Sequence, residues 1–247
     1  MVEKMQTSKF ANEEVVISYG YLSGYKPKDF TEQTNCLREL FPGIGYANQD
    51  LLTQIKRKEI ALPRQAEGWF AIPNWMKNQH LFGVTYSAAL QKVLDILKQK
   101  HNGNLSNYVD SGIDEKHIRQ SARTQKFFQN LLGEQGNPDI LIVPAQFGTL
   151  HRGRSVYRAR KVFLINEVGL GSFAISIMLL THPERLQQCI DLWIDCPGDE
   201  FRSSDKGSYY QNPYFGFENG QIRFSTSDMS GADDDFGSAS AFSPKQY

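Results

Sequence analysis

The sequence predicts an α+β fold, in which helices pack on a mixed sheet and a β-hairpin lies near the C-terminus. Two short apolar runs, at residues 139–143 and 191–195, are each followed within two residues by proline, which is typical of buried strands. Residues 85–100 place Ala, Val, Ile and Leu at helical spacing, as in an amphipathic helix. Asn219 and Gly220 lie between alternating apolar residues, and this dipeptide favours the tight turn of a hairpin.

The remaining elements follow from strand propensity, from capping residues and from glycine or proline at the boundaries. The predicted strands are residues 15–22, 68–72, 139–143 and 191–195; the predicted helices are residues 32–41, 48–58, 85–100, 114–132 and 162–181; the predicted hairpin is residues 215–224. The segment 162–181 has the length of a membrane span, but Asn166 and Glu167 lie inside it. We therefore predict a buried helix there and no membrane partner.

The chain has 247 residues, of which 40% are hydrophobic, and this is enough to build one core. We predict a single α+β domain over residues 1–247, with a flexible tail at 1–14 and a polar, hairpin-containing extension at 201–247. Three cysteines without a CxxC pair argue against a disulfide framework and against a structural zinc site. The polar N-terminus does not resemble a signal peptide, so we expect a cytoplasmic protein.

Charge is balanced overall but unevenly distributed along the chain. Residues 1–165 contain 22 Lys/Arg and 15 Asp/Glu, whereas residues 166–247 contain 5 and 12. Our first hypothesis is therefore a binding module that holds a nucleic acid or another polyanion on a basic face. The candidate residues are Arg119, Arg123 and Lys126 on a predicted helix, and Arg152, Arg154, Arg158 and Arg160 in a predicted loop. The same residues are also explained as a solvated surface, or as partners of the acidic C-terminal half.

Three carboxylates, Asp195, Asp199 and Glu200, follow a predicted strand on a Pro-Gly turn. Such a cluster suits Mg²⁺ or a division of acid and base roles, so the second hypothesis is a metal-assisted phosphoester hydrolase with the arginine loop holding the phosphate. It requires the strands at 139–143 and 191–195 to be parallel neighbours, so that both features meet at one sheet edge. Alternatively, the aspartates bind turn amides. Less specific candidates are His151, Glu167 and His182.

An aromatic segment contains Trp69, Phe70 and Trp75, which serve either as core residues or as a stacking surface for bases or sugars. The chain lacks a Walker A loop, a GxSxG elbow and an HExxH motif, so no familiar enzyme class is indicated and the sequence does not decide whether the protein is an enzyme. A third possibility is a structural or assembly protein that self-associates through its aromatic and polar C-terminal surface.

Several segments resemble those of an uncharacterised bacterial protein family of unknown function. The resemblance covers residues 67–200, and its segments are residues 67–73, 154–160, 166–171, 178–186 and 191–200. It implies a bacterial cytosolic setting, and it implies no activity, cofactor or partner.

Overall fold

The computed structural model describes residues 13–18, 25–109 and 112–244, and it confirms the α+β fold class. The helices are α1 (Phe30–Leu40), α2 (Gln49–Lys56), α3 (Gln79–Phe82), α4 (Tyr86–Lys100), α5 (Ala122–Glu134), α6 (Val156–Val162) and α7 (Ser172–Thr181). The strands are β1 (Gly68–Pro73), β2 (Leu105–Asn107), β3 (Ile118–Gln120), β4 (Ile140–Gln146), β5 (Glu167–Gly169), β6 (Trp193–Asp195), β7 (Asp199–Phe201), β8 (Gln211–Glu218), β9 (Gln221–Asp228), β10 (Phe236–Ser238) and β11 (Ser240–Phe242).

The strands form two sheets rather than one. The smaller sheet is antiparallel, with the order β1-β4-β11-β5. The larger sheet is mixed: it has the order β10-β6-β8-β7-β3, and β9 pairs with β8 and, in parallel, with β2. Because only Ala239 separates β10 from β11, the chain passes directly from one sheet to the other. The predicted strands at 139–143 and 191–195 exist as β4 and β6, but they lie in different sheets and are not neighbours.

A fully buried helix, α7, lies at the centre of the molecule. All ten of its residues are buried, and it packs against α4 and β1. The sequence predicted one long helix at residues 162–181, and this was wrong. The chain instead makes α6, the short strand β5 and then α7, because residues 167–169 pair with β11 and the Gly169 and Gly171 backbones pack closely against the 197–199 turn.

The predicted helix at 114–132 was also wrong in its first part. Residues 118–120 form β3, which pairs with β7, and α5 begins only at Ala122 after its N-cap Ser121. Of the predicted strand at 15–22, residues 15–18 form no strand, and residues 19–22 lie outside the described residues. The predicted hairpin is confirmed as β8 and β9. Asn219 and Gly220 have φ values of 52° and 76°, as the predicted turn requires.

The outer edge of β1 is covered by a side chain that imitates a strand. Gln33 on α1 is fully buried, and its Nε2 donates to the Trp69 carbonyl oxygen at 2.8 Å. Its Oε1 accepts from the Ala71 N–H at 2.8 Å. A glutamine amide carries one acceptor and two donor hydrogens, so it can replace a neighbouring peptide group. Pro73 has no N–H, so the edge presents no backbone donor at this residue.

Gln135, the residue after α5, does the same for β4. Its Nε2 donates to the Ile142 carbonyl oxygen at 2.8 Å, and its Oε1 accepts from the Ile142 N–H at 3.0 Å. The edge of β5 is covered from α5 as well. Arg123 donates to the Glu167 carbonyl oxygen at 2.6 Å, and the Thr124 hydroxyl donates to the Gly169 carbonyl oxygen at 3.1 Å. Side chains therefore complete the smaller sheet where no strand is available.

We expect Gln135→Ala to lower the free energy of unfolding by about 2 kcal/mol, because it leaves the buried N–H and C=O of Ile142 without their partner. Gln129→Ala is the matched control, since Gln129 is exposed on α5, the helix that Gln135 directly follows. Its effect should stay within about 0.5 kcal/mol. Urea denaturation measures both, and equal effects of the two substitutions would contradict the role assigned to Gln135.

Candidate functional site

A cavity of about 390 Å³ opens between the two sheets. Its walls come from the end of β1, the start of α4, β3, α5, β4 and α7. Four aromatic side chains line it: Trp75, Tyr86, Phe128 and Phe173. The volume lies within the range of small-molecule pockets, and apolar walls with a few polar groups are their usual composition. This cavity is therefore the candidate site.

Polar side chains also line the cavity, mainly from β3 and α5. They are Asn74, Thr85, Ser87, Glu115, Arg119, Gln120, Gln125 and Gln129. The Arg119 guanidinium is already engaged: its Nε and Nη2 both lie 2.8 Å from Glu200 Oε2, and its Cζ lies 3.8 Å from the centre of the Tyr209 ring. The rim therefore offers neutral amides and the exposed Glu115 carboxylate, while its arginine has its charge compensated.

Behind one wall of the cavity, the lining residue Tyr86 contacts the buried carboxylate of Asp199, which does not itself line the cavity. The Tyr86 hydroxyl donates to both oxygens of Asp199 at 2.8 Å, and the Ser172 N–H at the start of α7 donates to Asp199 Oδ2 at 2.6 Å. Asp199 thus caps α7 from another segment, because its N-cap Gly171 has no side chain to do so. A Cβ at Gly171 would lie 2.4 Å from Asp199 Oδ1, which explains the glycine.

Burial is the main cause of the raised pKa values of both Asp199 and Tyr86. Removal from water raises the pKa of Asp199 to about 6, although hydrogen bonds from Ser172 and Tyr86 and the Arg160 charge oppose the rise. Burial, followed by the Asp199 charge, raises the pKa of the Tyr86 hydroxyl well above its ordinary value. Acids with raised pKa values are common at functional sites, but Asp199 reaches the cavity only through Tyr86. Here the same acid also has a structural duty at α7.

The two other predicted catalytic carboxylates lie elsewhere. Asp195 on β6 is 4% exposed and accepts from Asn212 Nδ2 at 2.9 Å. Burial raises the pKa of Asp195 to about 7; the Asn212 hydrogen bond opposes this rise, and the charges of Asp233 and Asp235 add to it. Glu200 pairs with Arg119 and Arg160. Within the described residues, no group of three or more His, Cys, Asp or Glu is placed to hold a metal ion.

The basic residues do not form the single face predicted for them. Arg119 is on β3 rather than on the helix of Arg123 and Lys126, and Lys126 is exposed beside a separate groove. Arg154 and Arg158 both pair with Glu14, at 3.2 and 3.7 Å. Most of these cations therefore have partners inside the chain.

The other two arginines of the predicted basic loop, Arg152 and Arg160, have different environments. Arg152 lies in a segment that bridges β10 at Gly237. Arg160, on α6, is the residue that reaches the acidic turn: it donates to the carbonyl oxygens of Pro197 and Asp199 at 2.9 and 2.8 Å. Burial lowers the pKa of its guanidinium. Arg160 therefore stabilises the acidic turn through hydrogen bonds to its backbone, and its guanidinium is engaged within the protein rather than available to a ligand in solution.

The less specific candidates, His151, Glu167 and His182, are buried, and each contacts other residues of the chain. His151 Nε2 lies 2.7 Å from Glu167 Oε1, which also accepts from the Ser240 hydroxyl. His182 accepts from the Lys28 N–H through Nε2 at 3.0 Å, and burial lowers its pKa to about 4. A neutral His182 suits this acceptor role. These three side chains join segments that are distant in sequence, and none of them lines the cavity.

In comparisons with known proteins, no family model, no curated protein and no solved structure matches the chain. Across the described ranges, every helix is too short or too polar to cross a membrane. Two of the lining residues belong to sets that the sequence singled out: Trp75 to the aromatic segment, and Arg119 to the predicted basic face. Trp75 lines the cavity, whereas Phe70 is fully buried in the core. The glutamines of α5 gave no signal, because exposed glutamine is ordinary on a helix.

Proposed function

We propose that the protein binds a ligand that places a flat, apolar ring in the cavity. What supports this is a volume of about 390 Å³ with walls formed by Trp75, Tyr86, Phe128 and Phe173. Aromatic walls favour rings, because offset and edge-on ring contacts add to the gain from burying apolar area. A cavity of this size takes one or two rings.

The rim indicates the charge of the ligand. Arg119 is paired with Glu200, so it has little attraction left for an anion. Glu115 is exposed and acidic, and the neighbouring glutamines supply both donors and acceptors. The ligand is therefore neutral or cationic, with hydrogen-bonding groups at the edge of its ring.

Indole is a suitable probe, and we expect it to bind the wild-type protein with a Kd on the order of millimolar, as for a ligand of few atoms. Gln129→Trp places a large ring at the cavity mouth and should weaken binding at least tenfold. Asn130→Trp is the matched control, because the next residue of α5 lines a different groove. Saturation-transfer NMR measures both. Equal binding by the two variants would overturn the assignment of the site.

The polyanion hypothesis remains a second proposal, motivated by the surplus of Lys/Arg in residues 1–165. A phosphate would have to compete with Glu14 for Arg154 and Arg158, and with Glu200 for Arg119. Binding of RNA or DNA should weaken with salt, by about one unit of log-log slope for each phosphate contact. Affinity that is absent at low salt would contradict it.

The magnesium-dependent hydrolase and the assembly protein also remain predictions. The first requires Asp195, Asp199 and Glu200 to share one ion, whereas each of these carboxylates has its own set of partners in the structure. It also required β4 and β6 to be parallel neighbours, and these strands lie in different sheets. Self-association without ligand would support the second. The bacterial, cytoplasmic setting likewise rests on the sequence alone.

A further inference from the structure

One edge of β3 faces the cavity. Arg119 pairs with Glu200 of β7, the Arg202 N–H donates to the His117 carbonyl oxygen, and the Ser121 N–H donates to the Gly198 carbonyl oxygen. Hydrogen-bonded pairs alternate along an antiparallel ladder. The N–H and C=O groups of Ile118 and Gln120 therefore point away from β7. On this side Gln125, which lines the cavity as Ile118 and Gln120 do, reaches the Gln120 carbonyl oxygen.

Two of the four backbone groups on this edge are satisfied locally. The Ile118 N–H donates to the Asp114 carbonyl oxygen at 3.0 Å, and Gln125 Nε2 donates to the Gln120 carbonyl oxygen at 2.9 Å. Among residues 13–18, 25–109 and 112–244, no partner is found for the Ile118 carbonyl oxygen or for the Gln120 N–H. One acceptor and one donor, separated by a single residue, are thus presented to the cavity.

In contrast to β3, the edge strands of the smaller sheet are covered by side chains. Gln33 covers β1, and Arg123 and Thr124 cover β5, each through direct hydrogen bonds to backbone groups. Exposed strand edges readily pair with another chain, so proteins normally cover them. The edge of β3 is left open where it lines an apolar cavity, and this combination is the one that strand-adding peptide sites use.

We propose that the ligand is an extended peptide segment that adds as a strand beside β3 and places an apolar side chain in the cavity. This inference rests on the proposed function, because the cavity must accept the side chain. The Gln120 N–H donates to a peptide carbonyl, and a peptide N–H donates to the Ile118 carbonyl oxygen. These backbone bonds fix the orientation of the peptide, and the aromatic walls select its side chain.

The probe is the blocked peptide acetyl-Thr-Phe-Thr-Phe-Thr-amide, whose alternating phenylalanines share one face of a strand. At saturation we expect hydrogen exchange of the Gln120 amide to slow at least tenfold. The same peptide with N-methylated backbone amides cannot donate and should bind at least tenfold more weakly. Equal affinity of the two peptides, or unchanged exchange at Gln120, would overturn the inference.

A pair of variants tests the edge without changing the cavity wall elsewhere. Gln120→Pro removes the N–H that faces the cavity and that β7 does not use, and proline is tolerated at such edge positions. Gln120→Thr keeps the N–H and loses the glutamine side chain. We expect peptide binding to fall at least tenfold in the first variant and to change less than threefold in the second. Equal losses would contradict the proposed backbone bond.

If Gln120→Pro fails to fold, hydrogen exchange of the Gln120 amide in the wild-type protein still shows whether the peptide bonds to this N–H. Indole binding that is blocked by Gln129→Trp, together with peptide that leaves Gln120 unprotected, would refute the peptide and leave the ring site standing. Loss of both indole and peptide binding would refute the two proposals together.

Discussion

Replacement of Arg185 by alanine is expected to lower the free energy of unfolding by about 4 kcal/mol. Arg185 is 1% exposed, and its Nη2 donates to the carbonyl oxygens of Phe147 and Leu192 at 3.1 and 2.9 Å. Phe147 follows β4 and Leu192 precedes β6, so one guanidinium joins the two sheets. Alanine removes both charge-assisted bonds and leaves a cavity where the side chain packed on the Phe147 ring.

Arg185→Met separates the two causes, because it restores volume without the hydrogen bonds. We expect it to recover part of the loss. Arg57→Ala is the control for an exposed arginine and should change stability by less than about 0.5 kcal/mol. Denaturant unfolding measures all three, and a loss below about 1 kcal/mol for Arg185→Ala would show that the sheets are joined by other contacts.

Asp195→Asn is expected to stabilise the protein by about 2 to 4 kcal/mol at pH 8 and to leave it unchanged near pH 4. Burial raises the pKa of Asp195 from 3.8 to about 7, and the charges of Asp233 and Asp235 contribute. The folded protein therefore holds a proton between about pH 4 and pH 7 that the unfolded chain has released. Its free energy of unfolding falls as the pH rises through this window, by about 1.4 kcal/mol per unit of pKa shift.

Asparagine stays neutral in both states, so this loss disappears in the variant. Asp199, whose pKa is raised to about 6, has the same sign and should leave a smaller pH dependence in Asp195→Asn. Asp95→Asn changes the same net charge at an exposed position of α4 and is the control. A variant that is less stable than wild type at pH 8 would mean that the Asp195 carboxylate is required in its charged form.

The elements that sequence predicted well depend on local chemistry. Asn219-Gly220 fixes the hairpin turn, and α4 agrees with the predicted helix at 85–100 to within one residue, with Thr85 as its N-cap. The partition of strands into two sheets was not predictable, because it depends on β10 and β11 pairing with strands that are distant in sequence. Arg119 shows the consequence: a spacing that suits a helix face occurs on a strand, where Glu200 lies opposite it.

The candidate site was less predictable than the fold. Its walls come from six separate segments, and only Trp75 and Arg119 belong to clusters that stand out in the sequence. Gln33 and Gln135 take the place of missing strands through their side-chain amides, and no repeating pattern in the sequence marks such a role. The open edge of β3 follows from the alternation of hydrogen-bonded pairs between β3 and β7. It can be recognised only when the register of these two strands is known. Each of these features depends on tertiary structure rather than on residue type.

The most direct test of the ring-binding cavity is an amide chemical-shift titration of the wild-type protein with indole. We expect the largest shifts at the start of α4 and along the cavity side of α5, at Tyr86, Ser87, Gln125 and Gln129. Shifts that are absent at 10-fold the expected Kd, on the order of ten millimolar, or that cluster at the separate groove around Lys126 and Asn130, would contradict it.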